Sequence, residues 1–187
     1  MKKINSKGFT LIELLAVITI MGILMMVAIP SVSRTIENSR RDTFATVAKE
    51  YVNSIRNRAM ADNIDCEVNS NWVVASATPN GTYYFPIDTS SQGTKDLMES
   101  GGKSPFGNAE MKGYVKWVKT TEKNSSGDLK MRTTYTILMV DSGLHGFDEE
   151  VGENDIKRSQ VETATDKVTA FDSTPTSVSG AYKCRLS

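Results

Sequence analysis

One carboxylate stands alone in the most apolar stretch of the chain. Residues 8–30 read GFTLIELLAVITIMGILMMVAIP, and from Phe9 to Ile29 the only charged side chain is Glu13. As a helix rising about 1.5 Å per residue, this run is long enough to cross a hydrocarbon layer roughly 30 Å thick. A carboxylate inside such a layer costs on the order of 2.5–3.5 kcal/mol on insertion scales. Glu13 must therefore be neutral, close to the interface, or paired with a cation. No basic side chain lies within reach on its own helix; the nearest positive charges are Lys7 and the amino group that a cut before Phe9 would create. Met1 to Gly8 is a short basic leader carrying Lys2, Lys3 and Lys7, set directly against the apolar run. A secretory signal peptide places its small-residue cleavage site after the apolar region. Here the small residue, Gly8, precedes it, and no A-x-A pattern follows Ile29.

Other side chains that could do chemistry are sparse. Cys66 and Cys184 are the two cysteines. Downstream of a translocated helix both would face an oxidising space, which leaves open a bridge between them or two separate thiols. Asp141, Ser142 and His145 lie close together in DSGLHG, but a catalytic triad needs geometry that adjacency does not supply, and a turn is expected. Asp148, Glu149, Glu150, Glu153 and Asp155 form an acidic cluster around Gly152. Oxygen ligands at that density are a Ca²⁺ candidate, although the spacing matches no EF-hand; the other reading is a solvated acidic loop. There is no phosphate-cradling glycine motif and no zinc-like Cys/His spacing. No cofactor and no catalytic residue is expected.

The leader and GFTLIELL resemble the class III signal of type IV prepilins and of the related type II secretion and competence pseudopilins. The resemblance covers about residues 1–60, and beyond them it concerns general architecture. It implies that a membrane peptidase, the prepilin peptidase, cuts on the cytoplasmic side after Gly8 and that the new terminal Phe9 is N-methylated. Methylation would leave the Phe9 ammonium charged. Glu13 matches the family's helix-embedded glutamate, and Gly22 and Pro30 match its helix-loosening glycine and proline. A pair between the Phe9 amine of one chain and Glu13 of its neighbour would relieve both buried groups while fixing the axial stagger of two helices. Family members often carry a disulfide with both cysteines in the C-terminal half; Cys66 and Cys184 depart from that placement.

The elements that must position these residues follow from periodicity. After Pro30, Val32, Ile36, Phe44, Val47, Ala48, Tyr51, Val52, Ile55 and Ala59 recur at spacings of three and four, which predicts an amphipathic helix packed on a globular body. Bending should be easiest from Gly22 to Pro30. Residues 62–81 carry loop signals, with Trp72 to Ala77 as a candidate short strand. Thr82 to Ile87 is β-prone, Thr94 to Glu99 is a candidate short helix, and Ser104-Pro105-Phe106-Gly107 reads as a turn. Tyr114 to Thr121 and Leu129 to Val140 are β-rich runs joined by Asn124-Ser125-Ser126-Gly127-Asp128, a hairpin by composition. In the second run Leu129, Met131, Thr133, Tyr135, Ile137 and Met139 share one face. Val161 and Val168 to Phe171 are candidates for a strand or two, and Asp172 to Gly180 reads as loop.

The expected fold is α+β: a leader at 1–8, a membrane-spanning helix at 9–30, its amphipathic continuation at 31–61, and a head at 62–187 built on an antiparallel sheet. Lys+Arg and Asp+Glu both total 22. Loss of the three leader lysines leaves about −3, so general nucleic-acid binding is not indicated. The resemblance implies a structural subunit of a type IV pilus serving motility, adhesion or biofilm formation, with its own copies, the peptidase and the membrane assembly machinery as partners. It would be stored in the cytoplasmic membrane with a cytoplasmic N-terminus and then displayed on the cell surface. The alternative is a pseudopilin or minor pilin of a secretion or DNA-uptake machine. A membrane-anchored binding module that never polymerises is a reading from a different class, and an enzyme is a distant third.

Overall fold

The structure, a computed structural model, describes residues 9–90, 97, 102–163 and 181–187. The chain divides into two units, Met1–Ser39 and Arg40–Ser187. A single helix, α1 (Leu11–Met60), contributes to both and runs unbroken through Gly22 and Pro30. In the first unit its side chains are exposed, apart from half-buried Glu37. In the second, Phe44, Ala45, Val47, Ala48, Tyr51, Val52, Ile55 and Ala59 are buried at the three- and four-residue spacing of one helical face. Val32 and Ile36, expected on that packing stripe, are 56% and 48% exposed. Apolar periodicity thus continues upstream of the turn where burial begins. The helix stops where Asp62 takes a left-handed backbone, φ 54°, and the Asn63 N–H donates to the Arg58 carbonyl at 2.9 Å.

Among the described residues the head carries nine strands: β1 (Ile64–Val68), β2 (Asn71–Val74), β3 (Gly81–Asp88), β4 (Met111–Lys123), β5 (Leu129–Asp141), β6 (His145–Phe147), β7 (Val151–Gly152), β8 (Val161–Thr163) and β9 (Ala181–Leu186). Their order is β2-β1-β9-β3-β4-β5-β6-β8, with β7 paired to β5. All pairings are antiparallel except β3 with β9. The α+β class and the β4–β5 hairpin are as the sequence predicts. Every residue from Met111 to Lys123 pairs with one from Asp141 to Leu129.

The segment read as loop and one short strand differs. Ile64, Cys66 and Val68 alternate with Asp65 and Glu67 to make β1, which turns back at Asn69 and Ser70, both left-handed, into β2. The candidate strand from Trp72 ends at Val74, and Ala75–Ala77 is a 3₁₀ turn. The turn at 104–107 is present, closed by the Asn108 N–H on the Ser104 carbonyl at 3.0 Å. Val161 lies in β8 as expected. The candidate helix at Thr94 to Glu99, apart from Leu97, and the candidates at 165–180 lie outside the described residues.

The core sits between the helix stripe and the sheet. Phe44 meets Phe147 edge-on, ring centroids 5.7 Å apart. Tyr83, Phe85 and Ile87 of β3 and Val115 of β4 are buried. Of the predicted β5 face, Tyr135, Ile137 and Met139 are buried, whereas Leu129 and Met131 are 69% and 60% exposed. Those two lie on the distal part of the hairpin, toward its Asn124–Asp128 turn.

Candidate assembly site

The chain enters α1 through a reciprocal cap. The Thr10 backbone N–H donates to Glu13 Oε2 at 2.8 Å and the Thr10 hydroxyl donates to the same oxygen at 2.7 Å. In return the Glu13 N–H reaches the Thr10 hydroxyl oxygen at 3.4 Å. This is a capping box, Thr-x-x-Glu, which satisfies donors that a helix start leaves unpaired. Both bonds to the carboxylate fall on Oε2, and among the described residues Glu13 has no ion pair with a basic side chain. Phe9, immediately before, is 86% exposed. Thr10 is a site residue beyond those expected from the sequence, although the four-residue pattern TLIE carries the capping signal.

Beyond the cap, the exposed surface is apolar on every side of the helix. Leu11, Ile12, Leu14, Leu15, Val17 and Ile18 are each at least half exposed, as are the large apolar residues from Ile20 to Ile29. Among the described residues, α1 is the one helix long and apolar enough to cross a membrane. Thr19 hides its hydroxyl by donating to the Ala16 and Leu15 carbonyls at 2.9 and 3.0 Å. Gly22 opens a notch in this surface, with nothing within 4 Å of where a Cβ would stand. Pro30 lies inside the same helix. Gly8 lies outside the described residues.

The remaining candidates are in the head. Cys66 and Cys184 are joined in a disulfide and face one another in the β1–β9 register. The acidic cluster is dispersed: Glu150 pairs with Lys116 and accepts from the Tyr114 hydroxyl at 3.0 Å, and Glu153 pairs with Arg56. Asp148, Glu149 and Asp155 are exposed. Among the described residues no three acidic, histidine or cysteine side chains are grouped to hold a metal ion. Cations from α1 and β4 thus engage two of the carboxylates that the sequence places together.

DSGLHG is a turn, as expected. Asp141 is fully buried, and its Oδ1 accepts the Gly143 and His145 N–H groups, each at 2.8 Å, with His145 Nδ1 at 3.2 Å. Its Oδ2 accepts the Ser104 hydroxyl at 2.5 Å. Ser104 and His145 thus bond opposite oxygens of one carboxylate, which fastens two turns, while Ser142, the serine inside DSGLHG, is exposed and donates its backbone N–H to the Glu110 carbonyl at 3.0 Å.

An α+β head and one apolar helix long enough to cross a membrane, capped through a glutamate at its first turn, fit a pilin-like protein whose precursor is membrane-anchored. The family described as the prokaryotic N-terminal methylation motif matches residues 3–29. Two fimbrial proteins of Pseudomonas aeruginosa are 34% and 33% identical to the chain over 125 residues, spanning 66% of this chain and 73% of each relative. No solved structure matches. The chain belongs to the type IV pilin-like fimbrial proteins, a structural and not an enzymatic family.

Proposed function

We propose that the chain is a type IV pilin, a subunit that polymerises through α1 into an extracellular filament. Prepilin peptidase removes residues 1–8, Phe9 is methylated, and the Phe9 ammonium of one subunit meets Glu13 of the next. The precursor waits in the cytoplasmic membrane with α1 in the bilayer. The observation that carries the reading is the all-round apolar exposure of residues 11–29 around one carboxylate that pairs with no basic side chain among the described residues. In water each of those large side chains would cost about 1.5–3 kcal/mol relative to burial. A helix drawn out of the membrane must therefore be covered, and identical helices around it supply the cover. The Thr10 cap supports the pairing: it orients Glu13 toward the chain start and occupies one oxygen, leaving Oε1 for an incoming ammonium.

Glu13→Val tests this. The variant should still enter the membrane, since it removes the one costly group, yet electron microscopy of sheared surface fractions should find fibres containing this chain reduced at least tenfold. Wild-type fibre yield from Glu13→Val would remove the pairing from the mechanism. Absence of fibres from the wild type would favour a membrane-anchored module instead.

A further inference from the structure

Two asparagines of the head stand in the acceptor pattern for N-linked sugar, Asn-x-Ser/Thr with x not proline. They are Asn80-Gly81-Thr82 and Asn124-Ser125-Ser126. Both are exposed, but the structure makes them unequal. A transferase must draw the acceptor into an extended segment, so the loop has to open locally.

Asn124 sits at the tip of the β4–β5 hairpin. Its backbone N–H donates to the Asp128 carbonyl at 2.9 Å, and the Gly127 N–H donates to its carbonyl at 3.0 Å. Its Oδ1 accepts the Ser126 and Asp128 N–H groups at 3.0 and 2.8 Å, and its Nδ2 donates to Asp128 Oδ2 at 3.1 Å. All of these bonds close within five residues, and every residue from Glu122 to Arg132 is exposed. Opening the tip breaks bonds worth about 0.5–1.5 kcal/mol each and moves nothing in the core.

Asn80 is bonded to β4, and the two residues before it are bonded by side chains of the core. The Thr121 hydroxyl donates to its Oδ1 at 2.9 Å, and the buried Tyr83 hydroxyl donates to the Pro79 carbonyl at 2.5 Å. The buried Lys119 ammonium donates to the Thr78 carbonyl at 2.7 Å, and Gly81 is already in register with Lys119. Extending that segment would pull Tyr83 and Lys119 out of place.

We propose that Asn124 is an N-glycosylation acceptor and that Asn80 is not. The donor class is an oligosaccharide on a polyprenyl diphosphate. Asn124 Nδ2 forms a bond to the anomeric carbon while the bond from that carbon to the diphosphate oxygen breaks. The electron pair leaves with the polyprenyl diphosphate, and the amide proton passes to a carboxylate of the transferase. Ser126 supplies the hydroxyl that the pattern requires. A sugar here would lie beside Leu129 and Met131, the large apolar side chains that the head leaves exposed on this hairpin.

The inference requires that the head has crossed the membrane, so fibre formation is read from the same preparation. The chain is purified from its own cells, weighed intact, and its peptides are fragmented. The expected result is a saccharide mass on the peptide containing Asn124, attached to the asparagine. Asn124→Gln and Ser126→Ala should return the chain to the mass of the processed, methylated and disulfide-bonded polypeptide without sugar, Ser126→Thr should keep the sugar, and Asn80→Gln should leave the sugar in place. Wild type at the mass of the processed polypeptide, with no saccharide on the peptide containing Asn124, would overturn the proposal, as would a saccharide that persists in Asn124→Gln on Ser125 or Ser126. Fibres of unmodified chain would sink this inference while leaving the filament reading intact.

Discussion

Tyr51 shows how a single polar atom is carried into the core. Its side chain is fully buried on the helix stripe, and its hydroxyl has no hydrogen-bond partner among the described residues. Burial pushes its phenol well above the ordinary tyrosine range, and the nearby Asp88 charge adds to the effect. Burial likewise raises Tyr83, Tyr114 and Tyr135. For an acid whose folded pKa is raised, the folded state keeps its proton where the unfolded chain, near 10, has lost it. The folded state then binds more protons than the unfolded one, so stability is constant below about pH 10 and falls as pH rises beyond it. Thermal unfolding followed from pH 8 to 12 should show that fall. Tyr51→Phe removes the largest contributor together with an unsatisfied hydroxyl. Its melting temperature at pH 7 should equal or exceed that of wild type, by up to about 1 kcal/mol in stability, and its alkaline fall should be shallower. A variant less stable than wild type at pH 7 would mean that the hydroxyl has a partner worth keeping.

At the scale of elements, the disulfide and one glycine hold the sheet together. β9 lies between β1 and β3, far from both in sequence, and Cys66–Cys184 closes a separation of 118 residues. Loop-closure entropy for such a span gives a stabilisation of up to about 5 kcal/mol. Reduction, or Cys66→Ser with Cys184→Ser, should lower the melting temperature by roughly 5–15 °C. Amides of β1 and β9 should lose hydrogen-exchange protection before those of β4 and β5, and equal loss in all four strands would refute the local role. Gly113 is the other constraint. Its φ is +150° and a Cβ there would stand 2.0 Å from the Leu138 carbonyl oxygen, backbone that cannot step aside without parting β4 from β5. Gly113→Ala should destabilise the head by about 3 kcal/mol or more, read as a drop of roughly 10 °C.

These elements also mark where a sequence can be read and where it cannot. β4 and β5 were legible because Tyr135, Ile137 and Met139 alternate with polar neighbours over a long run. β1 has the same alternation in Ile64, Cys66 and Val68, but Asp65, Glu67 and flanking asparagines lent it the look of a loop. Nothing local could say that Glu150 and Glu153 would meet Lys116 and Arg56, since those pairs are tertiary. At the candidate assembly site the leader, Phe9 and Glu13 could be singled out because an isolated charge in an apolar run has few physical explanations. The cap from Thr10 was equally local and went unread.

For the whole molecule, the boundary between Ser39 and Arg40 separates two kinds of helix surface. Every buried residue of α1 falls from Phe44 onward, so the head's core draws on the second half of the helix alone, with Phe44 against Phe147 and Phe106. The large apolar residues before Ser39 are exposed and need lipid or neighbouring helices. A chain beginning at Arg40 should therefore be soluble without detergent, monomeric by gel filtration, and cooperative in thermal unfolding. It should retain the disulfide and form no fibres. The full-length chain should need detergent or assembly to stay dispersed. The cut removes about two and a half turns of helix C-terminal to Pro30 as well as the spanning run, so the outcome discriminates. A truncated chain that melts without cooperativity would mean that residues 31–39 supply packing to the head, whereas one that folds but still forms fibres would mean that the filament is held by head contacts and not by the apolar helix.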